Sequence, residues 1–318
     1  MENSLKEAAA FFREADDFYI LSHQYPDGDT IGSGAALCRA LRKLGKRAQM
    51  YCHDAFPGKF QYLLEGLEKQ SFEPKVIVAV DIADTQLLGN SMMSYADRID
   101  WCIDHHGSNV HYARHWVVDP TAAATTEMIY RLIQEMDVEI DSKIAECIYT
   151  GITTDTGCCR YTNATPTSYR IAADMMELGA QAATINRVMF DTKSRARLEL
   201  ERRVLDTMAF YCCGKCAAIY VTRQMVQESG AGDDDMDGLA SLPRQVEGVQ
   251  VGVMMREKED GSFKISVRSN SKTNASQICA QFGGGGHPAA AGCRLTGSIE
   301  EVRSRVVQAV AQALGEPI

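Results

Sequence analysis

Short apolar runs that each stop at a histidine or an aspartate constrain this chain most. Phe18-Tyr-Ile-Leu-Ser22 leads into His23, Val76-Ile-Val-Ala-Val80 into Asp81, and Asp100-Trp-Cys-Ile103 into Asp104-His105-His106. Such runs, alternating with helical stretches, are the pattern of parallel strands buried on both faces. In open α/β sheets, ligands collect beyond the carboxyl ends of the strands, and the polar groups here fall at those ends. The expected class is α/β, with a parallel sheet in the N-terminal half and helices on both of its faces.

The helices are legible between the runs. Residues 3–16 place Leu5, Ala8, Ala9 and Phe12 at helical spacing, and the small residues Gly32, Ser33, Gly34, Ala35 and Ala36 open a helix that continues to about Leu44. Met128, Ile129 and Leu132 give an apolar stripe over 125–136, and a helix over 144–152 ends at Thr153-Thr-Asp155. The charged segment 192–210 reads as a helical linker between an N-terminal domain, 1–191, and a C-terminal domain, 211–318. The latter is β-rich, with strands expected over 217–221, 249–255 and 263–267 and a closing helix over 299–314. It reads as a smaller mixed-sheet α/β domain, with a cleft between it and the first.

A length of 318 residues suits two cores at roughly 150 residues per domain. The 42 acidic and 33 basic side chains leave a formal charge of -9, which disfavours long duplex nucleic acid, because phosphate neutralisation dominates that affinity. No stretch approaches the roughly 20 apolar residues of a membrane helix, so no membrane partner is expected. MENSLKEAAAFFREADDF carries acids throughout and no basic-then-apolar leader, and the cytoplasm is the expected location. Eleven cysteines, an odd number scattered through helical and strand-like segments, fit reduced thiols better than a disulfide framework.

His23, Asp27 and Asp29 share one loop, and Asp81, His105 and Asp155 stand at the ends of other expected elements. Mixed imidazole and carboxylate donors suit manganese, iron or zinc better than magnesium, with manganese the first choice. Two histidines and four aspartates exceed the needs of one ion. Two divalent cations sharing a bridging carboxylate use that inventory, and such a pair activates water and stabilises the oxygens of phosphoryl transfer. Taken alone, Pro26-Asp-Gly-Asp29 is an ordinary turn, and His105 and His106 are ordinary loop imidazoles. Several unrelated turns placing His or Asp at the same end of successive strands is the harder coincidence to accept.

His23-x-x-Pro-Asp27-x-Asp29, Asp81, Asp104-His105-His106 and Thr154-Asp155, in that order, resemble the motif set of the DHH phosphoesterase superfamily. Gly283-Gly-Gly-Gly286-His287-Pro-Ala-Ala-Ala-Gly292 is similar to the signature of the DHHA1 domain that accompanies it in one branch. The two likenesses span most of the chain. At this length it most resembles the nanoRNases, which degrade very short oligoribonucleotides and dephosphorylate 3'-phosphoadenosine 5'-phosphate; the same branch includes enzymes that cleave pApA to AMP. The resemblance implies that His23, Asp27 and Asp81 hold one ion and that Asp29, Asp81, His105 and Asp155 hold the second. It implies that His106 faces the scissile phosphate and that Asp104 orients a ligating histidine. Arg268, Gly284, Gly285, Gly286 and His287 are implied to face the metal cleft and bind the substrate, the glycines through an anion-binding run of N–H groups. The implied substrates are short oligoribonucleotides and 3'-phosphoadenosine 5'-phosphate; a homodimer is left open. An arginine that such enzymes often carry shortly after the Asp81 position is missing from Ile82-Ala-Asp-Thr-Gln-Leu-Leu88.

Competing readings are a non-catalytic nucleotide sensor, an exopolyphosphatase and a single-strand exonuclease. Cys213-Gly-Lys-Cys216 has metal-like spacing but no second pair at zinc-ribbon distance, and no metal is assigned to it. Asp233-Asp-Asp-Met-Asp237 lacks the glutamate an EF-hand requires and reads as a helix N-terminus. His53, His111 and His115 fall outside the motif set, and Cys158 and Cys159 read as structural.

Overall fold

In the computed structural model, which describes residues 1–236, 238–270 and 273–318, the apolar runs become neighbouring strands of one parallel sheet. The chain divides into two units, Met1–Thr192 and Lys193–Ile318. The first opens with α1 (Leu5–Glu14), where Ser4 and Glu7 form a capping box, and enters β1 (Phe18–Leu21). Then come α2 (Gly28–Lys43), β2 (Ala48–Tyr51), α3 (Gln61–Leu64), β3 (Val76–Val80), β4 (Trp101–Asp104) and β5 (His115–Val118). The strands lie in the order β2-β1-β3-β4-β5, all parallel, with Phe18 between Ala48 and Val76. Helices α4 (Thr125–Glu135), α5 (Ser142–Asp155), α6 (Pro166–Glu177) and α7 (Ala182–Asn186) complete the unit.

Strand alternation sorts the sheet into two buried faces. Phe18, Ile20, Val78 and Val80 pack in one core with Phe12, Leu37 and Met128 from α1, α2 and α4. Tyr19, Leu21, Ile77 and Ala79 face a second core with Leu88, Met92 and Tyr95. Those last three sit on 3₁₀ turns over Thr85–Leu88 and Asn90–Arg98, so the helical cover expected on this face is 3₁₀ rather than α. Burial on both sides is why these strands read as continuous apolar runs. The edge strands β2 and β5 are only half-buried and carry no such run, which is why the sequence does not announce them.

Two helix boundaries depart from the sequence reading, and both matter for the site. α2 starts at Gly28 rather than Gly32, because the Asp27 carboxylate accepts from the N–H groups of Asp29 and Thr30 and caps it. α5 continues past residue 152 to Asp155. Asp29 therefore stands on a helix end rather than in a loop, and Asp155 is the last residue of its helix.

In the second unit, α8 (Arg195–Leu205) lies in the stretch read as a linker, and its Leu200 and Val204 join a core with Ile219, Val221 and Met254. The remaining elements are β6 (Ala209–Tyr211), β7 (Cys216–Val221), α9 (Arg223–Ser229), β8 (Val251–Glu257), β9 (Phe263–Ser269), α10 (Ala275–Ala280), β10 (Gly285–His287), β11 (Ala290–Leu295) and α11 (Ile299–Leu314). They build a mixed sheet in the order β10-β11-β9-β8-β7-β6, in which β7 and β8 pair in parallel and the other neighbours antiparallel. Ile278, Val302, Val306 and Val310 of α10 and α11 cover one face.

Part of the glycine-rich stretch is an exposed edge strand. Gly285–His287 pairs antiparallel with Ala290–Gly292, because the backbones approach closely: a Cβ on Gly284 would lie 2.2 Å from the Gly292 carbonyl oxygen. Asp233–Met236 is a 3₁₀ turn rather than the start of a longer helix, with Asp233 paired to Arg256 at 2.6 Å; Asp237 lies outside the described residues. Among the described residues no helix is long and apolar enough to cross a membrane, and all eleven cysteines are free thiols.

Candidate metal centre

The strands deliver their polar ends to one place. His23 follows β1, Asp81 follows β3, and His105 and His106 follow Asp104, the last residue of β4. Asp27 and Asp29 come from the start of α2, and Asp155 from the end of α5. Asp81 has φ +61, a left-handed conformation that costs a non-glycine residue about 1–2 kcal/mol. Its backbone N–H still donates to Ile103 at 3.0 Å, so the sheet ladder holds the turn in place.

Side-chain atoms from these elements converge. His23 Nε2 stands 3.8 Å from Asp27 Oδ1 and 3.6 Å from Asp81 Oδ2. His105 Nε2 stands 3.9 Å from Asp29 Oδ2, 3.8 Å from Asp81 Oδ1 and 3.7 Å from Asp155 Oδ2. These separations exceed hydrogen-bond length. They lie just above the roughly 3–3.6 Å between ligand atoms that share an ion bound at about 2.1 Å. Asp81 belongs to both groups, one oxygen toward each histidine, which is the geometry of a bridging carboxylate. The His23 and His105 Nδ1 atoms lie 2.8 Å from the Gln24 carbonyl and 3.2 Å from the Ala122 carbonyl. A carbonyl can only accept, so Nδ1 carries a proton in each ring and Nε2 is the nitrogen directed at the carboxylates, where a cation would take its lone pair.

The electrostatics call for a cation. Asp29 and Asp81 are 1% and 3% exposed. Burial, reinforced by the charges of Asp81 and Asp155, pushes Asp29 well above the usual carboxylate range. Burial likewise lifts Asp155 to about 6, with Asp81 and Asp27 adding to the rise against the opposing pull of His105. Burial works against a charged His23, yet its contacts with Asp27 and Asp81 raise it to about 11. A buried Asp29 that favours its proton, beside a positively charged His23, is what such a site adopts without metal. A divalent cation would replace those protons, so the donor set and its charge balance both fit metal ions.

His106 joins Asp81 and His105 in a further candidate group, its Nδ1 3.6 Å from Asp81 Oδ1, and pairs more closely with Asp104. Its Nδ1 lies 2.7 Å from Asp104 Oδ1, and Asn109 Nδ2 donates to Asp104 Oδ2 at 2.7 Å. The hydrogen bond to Asp104 raises His106 to about 9. The histidine that Asp104 orients is therefore His106, while the ring of His105 is held by the Ala122 carbonyl.

The threonines at the start of α4, which the sequence reading did not single out, touch the same carboxylates. Thr126 Oγ1 donates to Asp29 Oδ1 at 2.5 Å and Thr125 Oγ1 to Asp81 Oδ1 at 2.9 Å. A pair of threonines opening a helix after Ala122-Ala-Ala124 was the available signal, and it reads equally well as helix capping.

Arg268, Gly284, Gly285, Gly286 and His287 belong to the second unit, where Arg268 of β9 stands opposite Ala290 and His287 ends the exposed β10. Cys216 is buried and Cys213 exposed, and neither joins a metal-binding group among the described residues.

With this geometry in view, the comparisons with known proteins agree from end to end. Residues 17–152 match the model of the DHH family, N-terminal domain, and residues 214–316 that of the DHHA1 domain. The chain is 37% identical to a bifunctional oligoribonuclease and PAP phosphatase NrnA of Thermus thermophilus, over 93% of this chain and 90% of the relative. It is 23% identical to the protein of the same name from Bacillus subtilis, over 88% and 90%. The crystal structure of an exopolyphosphatase-related protein from Bacteroides fragilis superposes with a TM-score of 0.86 at 28% identity, covering 98% of this chain and 95% of that one.

Proposed function

The chain belongs to the DHH phosphoesterase family and carries a DHHA1 domain, and from that premise we propose that it hydrolyses short oligoribonucleotides, such as pApA and other two- to five-mers, to nucleoside 5'-monophosphates, and 3'-phosphoadenosine 5'-phosphate to AMP. The observation that carries this reading is the convergence of His23, Asp27, Asp29, Asp81, His105 and Asp155 into metal-binding groups in a chain similar over nearly its whole length to enzymes named for those two activities.

In this proposal, His23, Asp27 and Asp81 hold one divalent ion and Asp29, Asp81, His105 and Asp155 the other, with manganese preferred for its tolerance of mixed nitrogen and oxygen donors. Divalent ions there supply Lewis acidity, which lowers the pKa of water and neutralises phosphate charge. The protein's own residues do the rest. His106 keeps its proton at neutral pH because Asp104 engages Nδ1, which leaves the Nε2–H to stabilise the phosphate or protonate the leaving oxygen. Arg268 binds the substrate's terminal phosphate, and Gly284, Gly285, Gly286 and His287 contact phosphate or base. The reducing cytoplasm is the proposed location, in keeping with eleven free thiols.

The test is a side-by-side rate measurement with manganese on pApA, 3'-phosphoadenosine 5'-phosphate, a long single-stranded RNA and polyphosphate. AMP release from the first two and poor turnover of the long strand are expected. Equal rates on the dinucleotide and the long strand would contradict the proposal, and pApA binding without AMP would favour a sensor. Preferential release of phosphate from polyphosphate would favour the second reading, an exopolyphosphatase, which the likeness to the Bacteroides fragilis protein supports.

A further inference from the structure

We infer that the first turn of α4 is a positioning device for the metal ligands, with Thr126 holding the carboxylate of Asp29 and Thr125 that of Asp81; the inference rests on the metal-centre reading above. α4 begins without a side-chain cap of its own, since Ala124 occupies the N-cap. Asp29, reaching across from α2, supplies the missing acceptor. Its Oδ2 accepts from the Thr125 N–H at 2.7 Å, and its Oδ1 accepts from the Thr126 N–H at 2.9 Å and the Thr126 hydroxyl at 2.5 Å. The Thr125 hydroxyl donates to Asp81 Oδ1 at 2.9 Å. Both threonines are 0% exposed, so water does not compete for these bonds.

Neighbouring helices make room for this contact. A Cβ on Gly151 of α5 would lie 2.2 Å from Thr126 Oγ1, and one on Gly32 of α2 would lie 3.3 Å from Thr126 Cγ2. Three helices thus pack around a single side chain whose hydroxyl ends on a ligand carboxylate. A carboxylate receiving these three donors, with the Ser33 hydroxyl a longer fourth at 3.4 Å, loses its rotational freedom but keeps lone-pair capacity for a cation, which is how an outer partner orients a metal ligand.

The device acts unequally on the two ligand groups. Thr126 touches Asp29, which stands with His105 and Asp155, and makes no hydrogen bond to His23, Asp27 or Asp81. Thr125 touches Asp81, which both groups share. Removing the Thr126 hydroxyl should therefore weaken one ion and spare the other, whereas removing that of Thr125 should weaken both.

Calorimetric titration of the full chain with manganese tests this on wild type, Thr126→Val, Thr126→Ser and Thr125→Val. Wild type should bind two ions. Thr126→Val should lose about 10–100-fold in affinity for one of them, the usual effect of removing an outer partner, with the other unchanged and with Thr126→Ser restoring both. Thr125→Val, which leaves every donor to Asp29 in place, should weaken both ions and keeps the inference testable if Thr126→Val does not fold. Wild-type affinities in Thr126→Val, a uniform loss that serine does not rescue, or unchanged binding in Thr125→Val would each overturn it. Fewer than two ions bound by wild type would instead overturn the two-ion reading on which it stands.

Discussion

The ends of β1, β3 and β4 and the β10–β11 hairpin use opposite physics, although each carries a family signature. At the strand ends, side chains dominate: buried carboxylates crowd together, Asp81 takes a left-handed backbone, and ionisations are displaced from their ordinary values. In the hairpin, side chains are removed so that backbones can meet, and Gly285, Gly286 and His287 are exposed with ordinary strand pairing. The contrast teaches that the first unit concentrates charge and strain at one end of its sheet, while the second leaves backbone and polar groups exposed on a sheet edge.

The sharpest way to break that contrast is to remove the shared carboxylate. Asp81→Ala should cost on the order of 10³-fold or more in kcat, exceeding the 10–100-fold typical of an outer partner because each ion loses a ligand. Steady-state turnover of pApA with manganese measures it, and a loss under 10-fold would mean that Asp81 is not shared. His106→Gln should lower kcat by about 10²–10³-fold while manganese affinity stays near wild type. Because Asp104 raises His106 to about 9, wild-type kcat should fall above that pH as the imidazole loses its proton, and the variant should lack this alkaline limb.

The second unit should respond differently. Arg268→Ala should raise KM about 10-fold and change kcat far less, the pattern of lost ground-state binding rather than lost transition-state stabilisation. A kcat loss at constant KM would place Arg268 among the chemical groups and erase the distinction.

The smallest effect is on stability. In the ion-free protein the Asp155 carboxyl, lifted to about 6, binds a proton more tightly than in the unfolded chain. Its stabilising contribution is therefore full below about pH 4 and lost as pH rises through 6. Manganese competes with that proton and with the one on His23, so the gain in melting temperature on adding manganese should be larger at pH 8 than at pH 5.5. Thermal scans with manganese or a chelator at both pH values check the sign. An equal gain would separate metal binding from these ionisations.

Much of the candidate site was legible in residue order. Asp81, Asp104 and His105 each follow an apolar run, and His23 follows β1 after Ser22, so strand periodicity and ligand chemistry pointed to the same positions. The reading failed at a helix boundary: Asp29 looked like a loop residue because the capping role of Asp27 leaves a weak local signal. It also missed β2, β5, β6 and β10, short strands at sheet edges where one-sided burial demands no apolar run, and β11, which follows the glycine-rich stretch.

Covalent order was enough to name the six ligand candidates and the parallel sheet, because buried strands must be apolar throughout and metals accept few donor types. It could not assign the two motif histidines their partners or reveal Thr125 and Thr126. The Thr126 hydroxyl meets an oxygen 97 positions earlier in the chain, and His105 is steered by a carbonyl that no side-chain pattern records. Contacts of that kind follow from how α2, α4 and α5 pack around Gly32 and Gly151, where the free space depends on all three helices at once.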